Sequence, residues 1–137
     1  LSGAPETVIH SLTQYGYNLG MAFQVVDDIL DFEGTQEEVG KPVGHDLLQG
    51  TLTLPSMLLL ERYPDNNPVV DLFQGKEPEK NRQRALEMIH DSTIIQDCYG
   101  VAREFHEGAA NALKQLPDTR ERRSLEELLD YVVVRRQ

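Results

Sequence analysis

An all-α fold is predicted for this chain of 137 residues by three observations. Apolar residues recur at three- and four-residue steps along most of its length, no segment alternates with a period of two, and the interruptions carry glycine, proline and asparagine. Pro5-Glu6 opens the first helix, with proline suited to an early helical position, and the pattern runs from about Glu6 to Phe32, with Gly34 as its stop. Residues 33–50 hold Gly34, Gly40, Pro42, Gly44 and Gly50 and read as an ordered loop. A short helix carrying Leu52, Leu54, Met57, Leu58, Leu59 and Leu60 then ends at Pro64. Asp65-Asn66-Asn67-Pro68 is turn chemistry, and Val69–Phe73 makes one helical turn before Gly75. Three helices follow. The first starts near Pro78 and carries Ala85, Leu86 and Ile89. The second runs from about Thr93 to Leu116, with Ile94, Cys98, Val101, Phe105, Ala109, Ala112 and Leu116 on one stripe. The last opens with Asp118-x-x-Glu121, a variant of the capping box, and gathers Leu125, Leu128, Leu129, Val132 and Val133 on one side.

Composition narrows the function. Lys+Arg number 13 and Asp+Glu 23, a formal net charge of −10, the wrong sign for a nucleic-acid or anionic-membrane surface. Hydrophobic residues make up 39%, at the lean end for a self-sufficient core. Cys98 is the single cysteine, so neither an intramolecular disulfide nor a cysteine-built zinc site can form. No apolar run approaches the roughly 18 residues of a membrane span, and no charged-then-apolar leader opens the sequence. The expectation is one soluble domain in the reducing cytoplasm, with no nucleic-acid partner.

The informative segment is Gly16–Phe32. At about 100° per residue, Gly20, Gln24, Asp27, Asp28 and Asp31 fall within an arc of roughly 100°. Apolar residues from Leu19 to Phe32 occupy the rest of the circumference. A surface helix has the opposite proportion, so this helix is expected to be buried nearly all round, with one polar slot along it. Carboxylates crowded into the last turns of a helix repel one another and oppose the helix dipole, and a cation must compensate. Hard oxygens at i, i+1 and i+4, with no His or Cys beside them, suit Mg²⁺, which is usually held by a few carboxylates plus substrate phosphates. The loop after the helix, Gly40-Lys41-Pro42-Val43-Gly44-His45-Asp46, offers a glycine-flanked cation able to reach a diphosphate. It is not a P-loop, because Pro42 follows Lys41 where Ser or Thr is required.

The ordered string Phe23-Gln24-x-x-Asp27-Asp28-x-x-Asp31, Gly40-Lys41-x-x-Gly44-x-Asp46-Leu47 and Thr53-Leu54-Pro55 resembles the second aspartate-rich region of trans-isoprenyl diphosphate synthases, the polyprenyl synthetase family. The ending Leu125-x-x-Leu128-x-x-Tyr131-Val132-Val133-x-Arg135-Arg136 is similar to their C-terminus. The resemblance implies the C-terminal half of an isoprenoid-synthase-type helical bundle. It also implies a Mg²⁺-dependent prenyltransferase that condenses an allylic diphosphate with isopentenyl diphosphate. On it, Asp27, Asp28 and Asp31 hold Mg²⁺ bridged to the allylic diphosphate, Asp46 orders the metal's water shell, and Lys41 contacts the diphosphate. Phe23 and Gln24 line the pocket for isopentenyl diphosphate, and Asp27, Asp28 and Gln24 are the candidate catalytic residues.

Two departures qualify this. Thr51 stands where members often carry a second lysine, and the family's first aspartate-rich motif, with its arginine pair, has no counterpart in residues 1–137. The chain therefore reads as the C-terminal portion of a polyprenyl synthetase domain, inactive alone, whose apolar helix drives dimerisation or self-association through Met21, Val25 or Phe32. Product length is not encoded here. The alternative is a non-catalytic helical interaction or regulatory subunit derived from the same fold. Elsewhere, His10, His90 and His106 share no metal-ligand spacing and read as structural or surface residues. Cys98 reads as core, and Arg135-Arg136 as a frayed terminus.

Overall fold

The computed structural model describes residues 3–33 and 43–134. Gly40, Lys41, Arg135 and Arg136 lie outside the described residues. Helices account for the secondary structure among the described residues: α1 (Glu6–Glu33), α2 (His45–Leu48), α3 (Leu54–Arg62), α4 (Pro68–Phe73), α5 (Pro78–His90), α6 (Ile94–Leu113) and α7 (Arg120–Val134). None is long and apolar enough to cross a membrane. The chain divides into two bodies, Leu1–Val26 with Gly100–Gln137, and Asp27–Tyr99.

In the first body, the α1 residue Tyr15 packs with Ala109, Ala112 and Leu113 of α6 and Leu129 of α7, with Leu19, Leu116 and Leu125 around them. Ala22 and Val132 form a second buried contact, flanked by Leu19 and Phe105. Buried tyrosines need a partner for their hydroxyl, and Tyr15 Oη donates to the Leu125 carbonyl at 2.8 Å. Small residues let α6 come close: a Cβ at Gly108 would stand 2.7 Å from Asn18 Oδ1.

In the second body, α2, α3 and α4 each pack against α5, and α3 against α4. Its buried residues include Ile29, Phe32, Leu47, Leu59, Val69, Leu72, Ala85, Leu86, Ile89, Ile94 and Cys98. Asn67, 2% exposed, joins two helices. Its Oδ1 accepts from the Val69 N–H at the start of α4, and its Nδ2 donates to the carbonyls of Leu59 and Tyr63 at the end of α3. One side chain thus serves orphan groups of both helix ends. Arg62 of α3 pairs with Asp97 of α6 and donates to Thr93 Oγ1 at 2.9 Å.

Four expectations are corrected. The segment 33–50 is not wholly loop: residues 45–48 form α2, because the side chain of Asp31 receives its first N–H groups. Leu52 precedes α3 and is 40% exposed, since Thr53 is the N-cap and Pro55 sits in the first turn. The cap of α7 is Thr119 rather than Asp118, its Oγ1 accepting from the Arg122 N–H at 3.2 Å. Finally, α1 is not buried all round: Ile9, Leu12, Tyr17 and Phe23 are exposed, while Val25 and Phe32 are already buried within the chain.

Candidate functional site

The site is built at the C-terminal end of α1. In its last turns Ile29 and Phe32 are fully buried, which fixes the rotation of the helix and turns the aspartates away from that core face. Asp27 and Asp28 are half-buried. Asp31 is 1% exposed, although it sits at the middle of the polar arc, because the main chain of residues 43–46 covers it.

That cover is hydrogen-bonded. The Asp31 carboxylate accepts the His45 N–H on Oδ1 and the Asp46 N–H on Oδ2, each at 3.1 Å. Its main-chain carbonyl accepts from the Gly44 N–H at 2.7 Å. Carbonyls at a helix end lack intrahelical partners, and the next one is also served: His90 Nε2 lies 2.7 Å from the Phe32 carbonyl oxygen, which requires a proton on Nε2. Gly44 has φ 76°, and a Cβ there would stand 3.4 Å from both Arg82 Cγ and Leu86 Cδ2. The left-handed backbone is what favours glycine there. From α5, Arg82 Nη1 donates to the Val43 carbonyl at 2.7 Å, with Glu79 holding the guanidinium at 2.8 Å. Burial pushes the Cys98 thiol up to about 12, with the charges of Asp97 and Asp28 adding to the effect against the opposing charge of Arg62.

Among the described residues, no three His, Cys, Asp or Glu side chains converge to hold a metal ion. The donor set still fits Mg²⁺, which keeps several waters and is commonly bound by one or two carboxylates completed by phosphate oxygens rather than by an all-protein cage. Asp27 and Asp28, half-buried at the end of α1, are side chains able to serve in that way, with Asp31 one turn further along. Asp46 is half-buried in α2, its carbonyl accepting the Thr51 N–H at 2.8 Å. Phe23 and Gln24 belong to the first body and are exposed. The sequence reading did not find Arg82 or the bond made by His90. Their partners are main-chain carbonyls 39 and 58 residues away, for which no local pattern exists, although the glycine at position 44 marked the turn.

The polyprenyl synthetase family model matches residues 1–91. Heptaprenyl diphosphate synthase component 2 of Bacillus subtilis (strain 168) is 37% identical over 131 residues, covering 96% of this chain and 37% of that protein. The solved heptaprenyl diphosphate synthase of Staphylococcus aureus matches with a TM-score of 0.84 and 31% identity, over 94% of this chain and 41% of that one. A polyprenyl synthase from Caulobacter crescentus CB15, complexed with calcium and isoprenyl diphosphate, matches with a TM-score of 0.84 and 34% identity, over 99% of this chain and 42% of that one. The chain thus spans about two fifths of the length of these relatives. With a family match over most of its length and the same all-helical fold, it belongs to the polyprenyl synthetase family.

Proposed function

We propose that residues 1–137 are the C-terminal portion of a polyprenyl synthetase domain and supply one carboxylate side of a Mg²⁺-dependent trans-prenyltransferase. Its substrates are an allylic diphosphate and isopentenyl diphosphate. The observation that carries the reading is the Asp27–Asp28 pair, half-buried at a helix end where the Asp31 and Phe32 carbonyls already have partners. Support comes from the Caulobacter relative, whose structure holds calcium and isoprenyl diphosphate.

Asp27 and Asp28 present anionic oxygens for the metal, and Asp46 orders water beside it. Bound Mg²⁺ supplies the positive charge that neutralises a diphosphate leaving group. Lys41 contacts that diphosphate as a point cation. Phe23 and Gln24 line the place of the isopentenyl group, with the phenyl ring keeping water from a developing carbocation. The partner is a second subunit, either another copy or a distinct chain, in line with the relative named as component 2.

The test has two parts. In the 137-residue chain, calorimetry is expected to give tighter Mg²⁺ binding with inorganic pyrophosphate present than without it. In the full-length protein carrying this chain, Asp27→Ala should lower turnover about a hundredfold or more while helix content stays unchanged, and Lys41→Ala should raise the KM for the allylic diphosphate. Near-normal turnover in Asp27→Ala overturns the metal assignment, and an unchanged KM removes Lys41 from the site.

A further inference from the structure

We infer that Arg82 and His90 of α5 are positioning residues. From one face of that helix they pin the two stretches of main chain, the end of α1 and the turn before α2, on which Asp27, Asp28 and Asp46 stand. The inference deepens the proposed function and rests on those aspartates serving the metal.

The geometry starts from one peptide unit. In a trans peptide the N–H and the C=O point in opposite directions. The Val43–Gly44 unit uses both: its carbonyl accepts from Arg82 Nη1 at 2.7 Å, and its N–H donates to the Asp31 carbonyl at 2.7 Å. It is held between α5 on one side and α1 on the other. Gly44 is the N-cap of α2, so the plane of this unit sets the direction in which α2 and Asp46 leave the turn. The following carbonyl of α1, that of Phe32, accepts from His90 Nε2 at 2.7 Å. A path therefore runs from α5 through Arg82, the Val43–Gly44 unit, the last turn of α1 and His90, and closes on α5 again.

Arg82, Leu86 and His90 follow at four-residue steps, within about 80° of arc on one helix face. Leu86 and the stem of Arg82 pack beside Gly44 between the two bonds. The charge of Arg82 is already answered, because Glu79 Oε2 accepts from Nη2 at 2.8 Å and from Nε at 3.3 Å. Its hydrogen bond, with its charge, holds the Glu79 carboxyl below the ordinary carboxylate range. With the guanidinium side chain only 17% exposed and Nη1 on a main-chain carbonyl, Arg82 acts on the backbone and not on an anion.

The test uses the 137-residue chain with Arg82→Met, His90→Phe, His90→Gln and Ile89→Val. Methionine keeps an unbranched stem beside Gly44 and removes the donor. Glutamine keeps an N–H donor in place of Nε2. Ile89 is fully buried in α5, and its truncation lowers stability without touching either carbonyl. In the metal-free chain, hydrogen exchange of the Gly44 amide should quicken about tenfold in Arg82→Met, and that of the Glu33 amide about tenfold in His90→Phe, each lying on the peptide unit released. Calorimetry with Mg²⁺ and inorganic pyrophosphate should show binding weakened about tenfold in both variants, the scale of residues acting through a ligand. His90→Gln should restore both readouts, and Ile89→Val should lower the melting temperature while leaving both unchanged. Either Arg82→Met or His90→Phe behaving like Ile89→Val, in exchange or in binding, overturns the inference. Weakened binding in Arg82→Met with the Gly44 amide undisturbed makes the arginine a direct phosphate contact and overturns it too. If the unaltered chain binds no Mg²⁺–pyrophosphate, the proposed function falls, and the exchange measurement still decides whether the two side chains hold the main chain.

Discussion

Cys98 carries no exposed surface, and its thiol is pushed up to about 12 by burial first and the Asp97 and Asp28 carboxylates after it, with Arg62 opposing. The reactive thiolate is therefore withheld near neutrality. Iodoacetamide at about pH 8 should leave the folded chain unlabelled, with modification appearing only as urea unfolds it; rapid labelling of the native chain would contradict the burial. The sign of the pH dependence follows. A thiol that titrates near 9.0 when unfolded and near 12 when folded makes the folded state hold its proton longer, so this contribution to stability is complete below pH 9.0 and is lost as the pH rises toward 12. Core character at Cys98 was legible, because a helical stripe reports burial directly. The role of Asp31 was not. Angular position put it in one arc with Asp27 and Asp28, and only the return of the chain 14 and 15 residues later shows that its oxygens face main-chain donors.

Helix pairs show the same division between what a period reveals and what it hides. The periodicity predicted that α1, α6 and α7 present apolar faces, and Tyr15, Ala109, Ala112 and Leu129 form that contact. It did not predict that Gly108 must be small, because the constraint comes from Asn18, whose Oδ1 and Cγ would lie 2.7 and 2.9 Å from a new Cβ. Gly108→Ala gains about 1 kcal/mol of helix propensity but forces Asn18 off its bond to the Gln14 carbonyl. Thermal unfolding should show it destabilised by about 1 kcal/mol, within the usual range for overpacking. In an Asn18→Ala background the same substitution should stabilise, and destabilisation in both backgrounds would rule out this contact as the cause. A second element-scale link is Arg62 with Asp97, which ties the end of α3 to the first turn of α6. Hydrogen bonds from Arg62 and then Thr93 hold the Asp97 carboxyl below its ordinary value of 3.8. That contribution is present above pH 3.8 and is lost as the pH falls through the lowered value. Asp97→Asn should therefore lower stability at neutral and alkaline pH, where the carboxylate is paired, and flatten the acid limb of a stability–pH curve, so that the two proteins converge at low pH.

At the scale of the whole chain, the exposed apolar residues of α1 are Ile9, Leu12, Tyr17 and Phe23, with Leu12 and Phe23 each 42% exposed. Covering apolar surface contributes about 25 cal/mol per Å², so the face that Ile9, Leu12 and Phe23 share favours association even though Val25 and Phe32 need no further partner. Sedimentation at micromolar concentration should show dimers or larger species in the 137-residue chain, and Leu12→Glu with Phe23→Glu should shift them toward monomer. A monomeric parent chain would dismiss that face as an interface. Helical class and family were legible because period and motif are local properties. The division at residues 26 and 99 was not, because it arises from how distant helices pair. One feature bears on how this sequence can drift. The grip of Asp31 takes hold of peptide N–H groups at positions 45 and 46. For this purpose position 45 can accept nearly any residue. The exception is proline, which lacks the N–H and would delete one strand of the grip without altering a single charge. A structurally decisive position can thus look freely variable, its constraint written as the avoidance of one residue rather than the retention of one.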